Sequence, residues 1–83
     1  MDRDQIAERI RRHLEDIYPA EAAGLGLESE LSESVLVDSL SIVTTVAFLE
    51  YEFSIRVRRA DLNSRNFRNV RTLSEYVASQ IGG

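Results

Sequence analysis

The chain has 83 residues and 9.4 kDa, with 43% hydrophobic and 29% charged residues and a net charge of −4. That composition supports one domain with one small core; having no cysteine, the chain cannot form disulfides or thiolate metal sites, and with one histidine, His13, it is poorly equipped for a metal cage or catalytic triad. No apolar run approaches the roughly 18 residues of a membrane span. The charged start Met1-Asp2-Arg3-Asp4-Gln5 has no apolar stretch behind it, unlike a secretory signal, so a soluble cytoplasmic domain is expected.

Residues 2–17 read as a helix, with Ile6, Ile10, Leu14 and Ile17 on one face. Asp2 and Asp4 suit its positive N-terminal end, and Pro19 stops it. Residues 18–37 form a long connection holding Leu25, Leu27, Leu31, Val35 and Leu36. So apolar a connection is expected to pack on the core or to carry function. Residues 39–53 read as the best helix, with Asp38 as N-cap and a stripe of Leu40, Val43, Val46, Ala47, Leu49 and Phe53. The β-branched run Ile42, Val43, Thr44, Thr45 and Val46 lowers helix propensity and makes a strand the rival. The length of the run and its lack of two-residue alternation favour helix.

Residues 54–60 alternate, with Ile55 and Val57 as anchors of an extended link. Asp61 or Asn63 suits the start of a short helix ending near Arg68, with Phe67 facing inward. Thr72 and Glu75 have capping-box spacing, and Leu73, Tyr76, Val77 and Ile81 then line one face of a last helix closed by Gly82, with Gly82-Gly83 as the tail. The expected core comprises Ile6, Ile10, Leu14, Leu31, Val43, Val46, Leu49, Phe53, Ile55, Phe67, Leu73, Val77 and Ile81.

Chemistry concentrates at Val37-Asp38-Ser39-Leu40. A helix start carries unpaired N–H groups and about half a positive charge, so a phosphate on Ser39 would sit in a favourable field. Leu36, Val37, Leu40 and Ile42 would form an apolar collar for a long, partly hydrophobic arm. Taken alone, the tetrapeptide is better explained by Asp38 as a plain cap and Ser39 as the first helical residue, an arrangement common at helix starts. Ser39 lacks the glycine-flanked elbow of a hydrolase nucleophile, and no base is in view.

Asp38-Ser39-Leu40, with Leu31 before it and Phe53 after it, resembles the acyl carrier protein family. Phe48-Leu49-Glu50-Tyr51-Glu52-Phe53, Ile55, Asn66-Phe67 with Val70, and Thr72-Leu73 with Tyr76-Val77 extend the resemblance over about residues 4–81. It implies an all-α four-helix bundle of acyl-carrier type: helices at 2–17, 39–53 and 72–81, a short one near 62–68, and a long loop between the first two. It implies that Ser39, flanked by Asp38 and Leu40, carries 4′-phosphopantetheine in a phosphodiester, installed by a phosphopantetheinyl transferase. The cofactor thiol then holds an acyl group as a thioester, so the carrier needs no cysteine and no catalysis of its own. The implied partners are that transferase, an acyl-loading ligase or acyltransferase, and downstream synthases or transferases, with no nucleic acid or membrane and a monomeric chain.

Two departures bear on the subfamily. Many carriers have glycine four residues before the serine, where this chain has Val35, so a different loop path is expected. Fatty-acid carriers usually present acid along and after the second helix. Here Ser41, Ile42, Thr44 and Thr45 stand near the attachment point, followed by Arg56, Arg58, Arg59, Arg65, Arg68 and Arg71. That pattern disfavours a fatty-acid carrier, and the ending Asn66-Phe67 with Val70 resembles free-standing carriers of polyketide or related specialised metabolism, with an aminoacyl or peptidyl carrier of nonribosomal type and a fatty-acid carrier as alternatives. Partner docking is expected at Ser41, Ile42, Thr44 and Thr45 and at Arg56, Arg58 and Arg65; the rival account of the arginines is ordinary solvated surface. Outside this family, a small helical protein-interaction module is the competing class.

Overall fold

The structure, a computed structural model, describes residues 1–82 and contains three α-helices: α1 (Arg3–Ile17), α2 (Ser39–Phe53) and α3 (Val70–Gly82). Two 3₁₀ turns, Leu31–Glu33 and Arg59–Asp61, interrupt the connections, and no strand occurs among the described residues. The expected all-α class holds. Gly82 lies inside α3 rather than beyond it, and Gly83 of the expected tail lies outside the described residues.

α1 starts at a capping box: Asp2 accepts the Gln5 N–H at 2.9 Å, and Gln5 accepts the Asp2 N–H at 3.0 Å. Ile6, Ala7, Ile10 and Leu14 are buried against α3, its main helical neighbour. Ile17, expected on the same stripe, is 48% exposed, because the chain leaves the helix at Tyr18 before that turn is covered.

The long connection packs down as its leucines demand. Ala22, Leu31, Val35 and Leu36 enter the core. Leu31 N–H donates to Arg68 O at 2.9 Å and Arg71 N–H to Leu27 O at 3.0 Å, tying the loop to the start of α3. Val35 is buried, donates to Leu31 O at 3.0 Å and has an ordinary negative φ, so no glycine is needed there.

Two expectations need correction. The short helix at 62–68 is absent: after the Arg59–Asp61 turn the chain makes one further turn, in which Asn63 accepts the Asn66 N–H through its side chain at 2.9 Å and the Phe67 N–H through its carbonyl at 3.1 Å. Asn63 thus caps a turn that does not propagate, since Asn63, Ser64 and Asn66 favour local side-chain bonds over helix and a single turn is costly to nucleate. α3 begins two residues before the expected 72. Its box is Asn69–Thr72, with Asn69 accepting the Thr72 N–H at 2.8 Å and Thr72 Oγ1 accepting the Asn69 N–H at 3.2 Å. Glu75 instead pairs with Arg3 and Arg71.

The expected core is partly wrong. Val43 and Ile81 are exposed, and Val46, Ile55 and Phe67 are only half-buried, while Val70, Tyr76 and Ala7 join the core. α2 accounts for most of this. Its fully covered line is Ser41, Thr45, Leu49 and Phe53, at strict steps of four, and not the expected stripe.

Candidate functional site at the start of the second helix

α2 begins as the sequence predicts. Asp38, in extended conformation, accepts the Ser41 N–H at 2.8 Å, and the Ser41 hydroxyl accepts the Asp38 N–H at 3.3 Å and donates to Asp38 O at 2.8 Å. Ile42 N–H donates to Asp38 O at 3.2 Å. This closes the first turn around Asp38 and uses up the carboxylate oxygen that faces the helix. It leaves the N–H groups of Ser39 and Leu40 without a hydrogen-bond partner among the described residues. Ser39 itself is exposed. The hydroxyl therefore stands in solvent beside two free donors at the positive end of a fifteen-residue helix. A phosphodiester attached there would meet hydrogen-bond donors, with Asp38 held aside by its bonds to the backbone.

The expected apolar collar divides in two. Leu36 is buried and Ile42 half-buried, and with Leu62 and Phe67 they line a cavity of about 250 Å³ rimmed by Ser32, Asn63 and Ser64. Val37 and Leu40 point away from it, into solvent. Leu40 is 73% exposed, Val43 63% and Tyr51 89%; with exposed Ala47 they form one outward stripe down α2, a helical turn apart at each step.

This arrangement corrects the expected docking residues. Ser41 and Thr45 are buried beneath α2, Ser41 in the capping box and Thr45 in the core, so neither can meet a partner; Ile42 and Thr44 are half-buried. Tyr51 is the most exposed large side chain on the outward stripe. The reason is symmetry of composition. α2 is apolar on both faces, so periodicity alone does not say which face turns inward. A closer signal was present: a buried serine three residues after an aspartate is what a capping box demands.

The arginines also separate. Arg68 pairs with Glu30 at 2.7 Å, and Arg71 with Glu28 at 3.3 Å and Glu75 at 3.4 Å. Arg65 lines the same polar cavity as Glu28 and Glu30, whereas Arg56 and Arg58 line another, at the far end of α2. α2 ends at Phe53 and Ser54 takes the left-handed conformation at φ 53°, and Glu52 pairs with Arg9 of α1 at 2.6 Å. His13 stacks on Phe48 with ring centroids 3.8 Å apart, and burial holds its pKa below the ordinary imidazole value, while Asp16 and Glu52 pull the other way. No cluster of three metal-ligating side chains exists among the described residues, and no described helix is long and apolar enough to cross a membrane.

No protein-family model matches the chain. Among solved structures, it is similar to the holo acyl carrier protein of Nitrosomonas europaea, at 22% identity and a TM-score of 0.78 over 95% of this chain and 99% of that one. It is also similar to the glycylated carrier protein complexed with the glycine:[carrier protein] ligase of Bradyrhizobium japonicum, at 27% identity and a TM-score of 0.67 over 90% of this chain and 96% of that one. In its three helices, its long first connection and its overall course, the chain has the fold of the acyl carrier proteins.

Proposed function

We propose that this chain is a carrier protein without catalysis of its own, working as one domain over residues 1–83, in which Ser39 bears 4′-phosphopantetheine through a phosphodiester. The observation that carries this is the exposed Ser39 hydroxyl at the start of α2, beside the unpartnered N–H groups of Ser39 and Leu40 and the cap residue Asp38. A fold shared with a holo acyl carrier protein supports it. The bound group supplies a thiol at the end of a long arm, on which an acyl group is held as a thioester. The chain's own residues would present the arm: Asp38 fixes the helix start, the free N–H groups of Ser39 and Leu40 would hold the phosphate, and the outward stripe of Leu40, Val43, Ala47 and Tyr51 would give partner enzymes a neutral, apolar surface beside it. Those partners are a phosphopantetheinyl transferase, a loading ligase or acyltransferase and a downstream synthase or transferase, met by a monomer in the cytoplasm without nucleic acid or membrane.

For the cargo, we favour a small acyl unit of polyketide-type or related specialised metabolism over a fatty-acid chain, because the outward face of α2 lacks acid. An aminoacyl cargo is the second reading, favoured by the likeness to a glycylated carrier at 27% identity. Incubation with a phosphopantetheinyl transferase and coenzyme A tests the main claim. The intact mass is expected to rise by one phosphopantetheinyl group in the wild type and not in a folded Ser39→Ala variant. An unmodified wild type would leave the small helical interaction module as the better account.

A further inference from the structure

We propose that the groove at the far end of α2 from Ser39 is a docking site for an acidic segment of a partner protein that also carries an apolar anchor. The groove is a cavity of about 460 Å³ where the end of α2 and the link after it meet the last turn of α3. Phe53, Ile55 and Ile81 give it an apolar floor, with Ile81 42% exposed. Arg56, Arg58 and Gln80 stand around it, and no carboxylate of the described residues lines it, although the chain holds 14 acidic residues against 10 basic ones.

The two arginines are open to a ligand. Arg56 is exposed and makes no ion pair or side-chain hydrogen bond among the described residues. Arg58 reaches only Asp61, at 3.9 Å, and the same carboxylate oxygen accepts the Tyr76 hydroxyl at 2.8 Å. Glu50 accepts the Val57 N–H at 2.9 Å and so fixes the link that displays the arginines. By contrast, Arg68 and Arg71 are already matched to glutamates. One unpaired guanidinium and one held only by a long ion pair, beside an apolar floor, complement a carboxylate pair next to a leucine or phenylalanine. A nucleic acid fits less well, since a net charge of −4 repels a long polyanion and phosphates do not use an apolar floor. α2 is fifteen residues long, which puts the groove roughly 20 Å from Ser39, so docking here does not require Ser39 to be modified.

The test is a titration of the ¹⁵N-labelled chain with a blocked peptide of sequence Asp-Glu-Leu-Phe-Asp-Glu, followed by amide chemical shifts. Saturable shifts are expected at residues 53–58, 80 and 81, with affinity falling at least about tenfold between low and high salt. A similar loss is expected in the double variant Arg56→Glu, Arg58→Glu and a smaller one in Arg56→Ala, Arg58→Ala, both with unchanged melting. No saturation at millimolar peptide overturns the proposal. So does equal binding of the amide analogue Asn-Gln-Leu-Phe-Asn-Gln, or the same saturable shifts with a short RNA. Because the readout is binding by the unmodified chain, its failure leaves the Ser39 assignment standing, and failure of that assignment leaves this groove standing.

Discussion

α1 and α2 are both fifteen residues long, and both start from an aspartate whose carboxylate and partner side chain close a capping box. They place their apolar residues differently. α1 has one apolar stripe, Ile6, Ile10, Leu14 and Ile17, and buries all of it except Ile17 at its end. α2 has apolar residues on both sides; it buries Leu49 and Phe53 together with two polar side chains, Ser41 and Thr45, and leaves Leu40, Val43 and Tyr51 in water. Burying a leucine or valine is worth about 1.5–3 kcal/mol. A helix that leaves such groups exposed, while placing a hydroxyl in the core, is shaped by more than its own stability. The outward face of α2 adjoins Ser39, which under the proposed function is where a partner enzyme has to approach.

The sharpest way to break this contrast is to truncate the two faces separately. Ile10→Ala and Leu49→Ala should each cost about 2–5 kcal/mol, and Phe53→Ala about 3–5 kcal/mol, in urea unfolding. Leu40→Ala and Val43→Ala should stay within about 0.5 kcal/mol. Comparable losses on both faces would mean that α2 is rotated from the orientation described here. Next in size are the caps: Asp2→Ala and Asp38→Ala should each cost about 0.5–2 kcal/mol. Asp38→Ala alone should also slow loading at Ser39, because the first turn of α2 would fray.

Smaller and opposite in sign is Thr45→Val. The Thr45 hydroxyl is fully buried with no hydrogen-bond partner, so replacing it with a methyl group of similar shape should stabilise the fold by about 1 kcal/mol. A loss would mean that the hydroxyl has a partner, such as a bound water. The smallest expected effect is a pH slope from His13, set by α1 and α2 together. Burial lowers its folded-state pKa, so the unfolded chain takes up the proton first. Stability should therefore be undiminished above the unfolded value of about 6.5 and should decline as the pH drops below it, until the folded imidazole also titrates. In His13→Gln that part of the slope should vanish; an unchanged slope would assign it to other groups.

How much was legible in the sequence follows the same division. α1 was readable because apolar periodicity and burial coincide when only one face is apolar. Asp38 as the cap, Ser39 as the first helical residue and the packed long loop were readable from local rules, since each rests on neighbours within a few residues. The orientation of α2 was not, because two apolar faces give periodicity no preference, and only the assembled core, which joins Leu49 and Phe53 to Ile6, Ile10, Leu14 and Leu73 of the other helices, shows which face turns inward. The short third helix failed for a local reason: Asn63 caps a turn, but Asn and Ser residues do not extend it. The division among the arginines was not legible for a tertiary reason, since only the fold brings Glu28 and Glu30 to Arg71 and Arg68 while leaving Arg56 without an acidic partner among the described residues.

The central claim is that Ser39, and no other hydroxyl, receives the phosphopantetheinyl group. The direct measurement is tandem mass spectrometry of the chain after treatment with transferase and coenzyme A. The chain has no lysine, so trypsin releases Ser39 within the single fragment His13–Arg56, which also contains Ser29, Ser32, Ser34, Ser41 and Ser54. Backbone fragmentation must therefore place the group. The account predicts the added mass on the fragment ions that include Ser39 and on none that exclude it; modification at Ser41 or any other serine, with Ser39 bare, would contradict it.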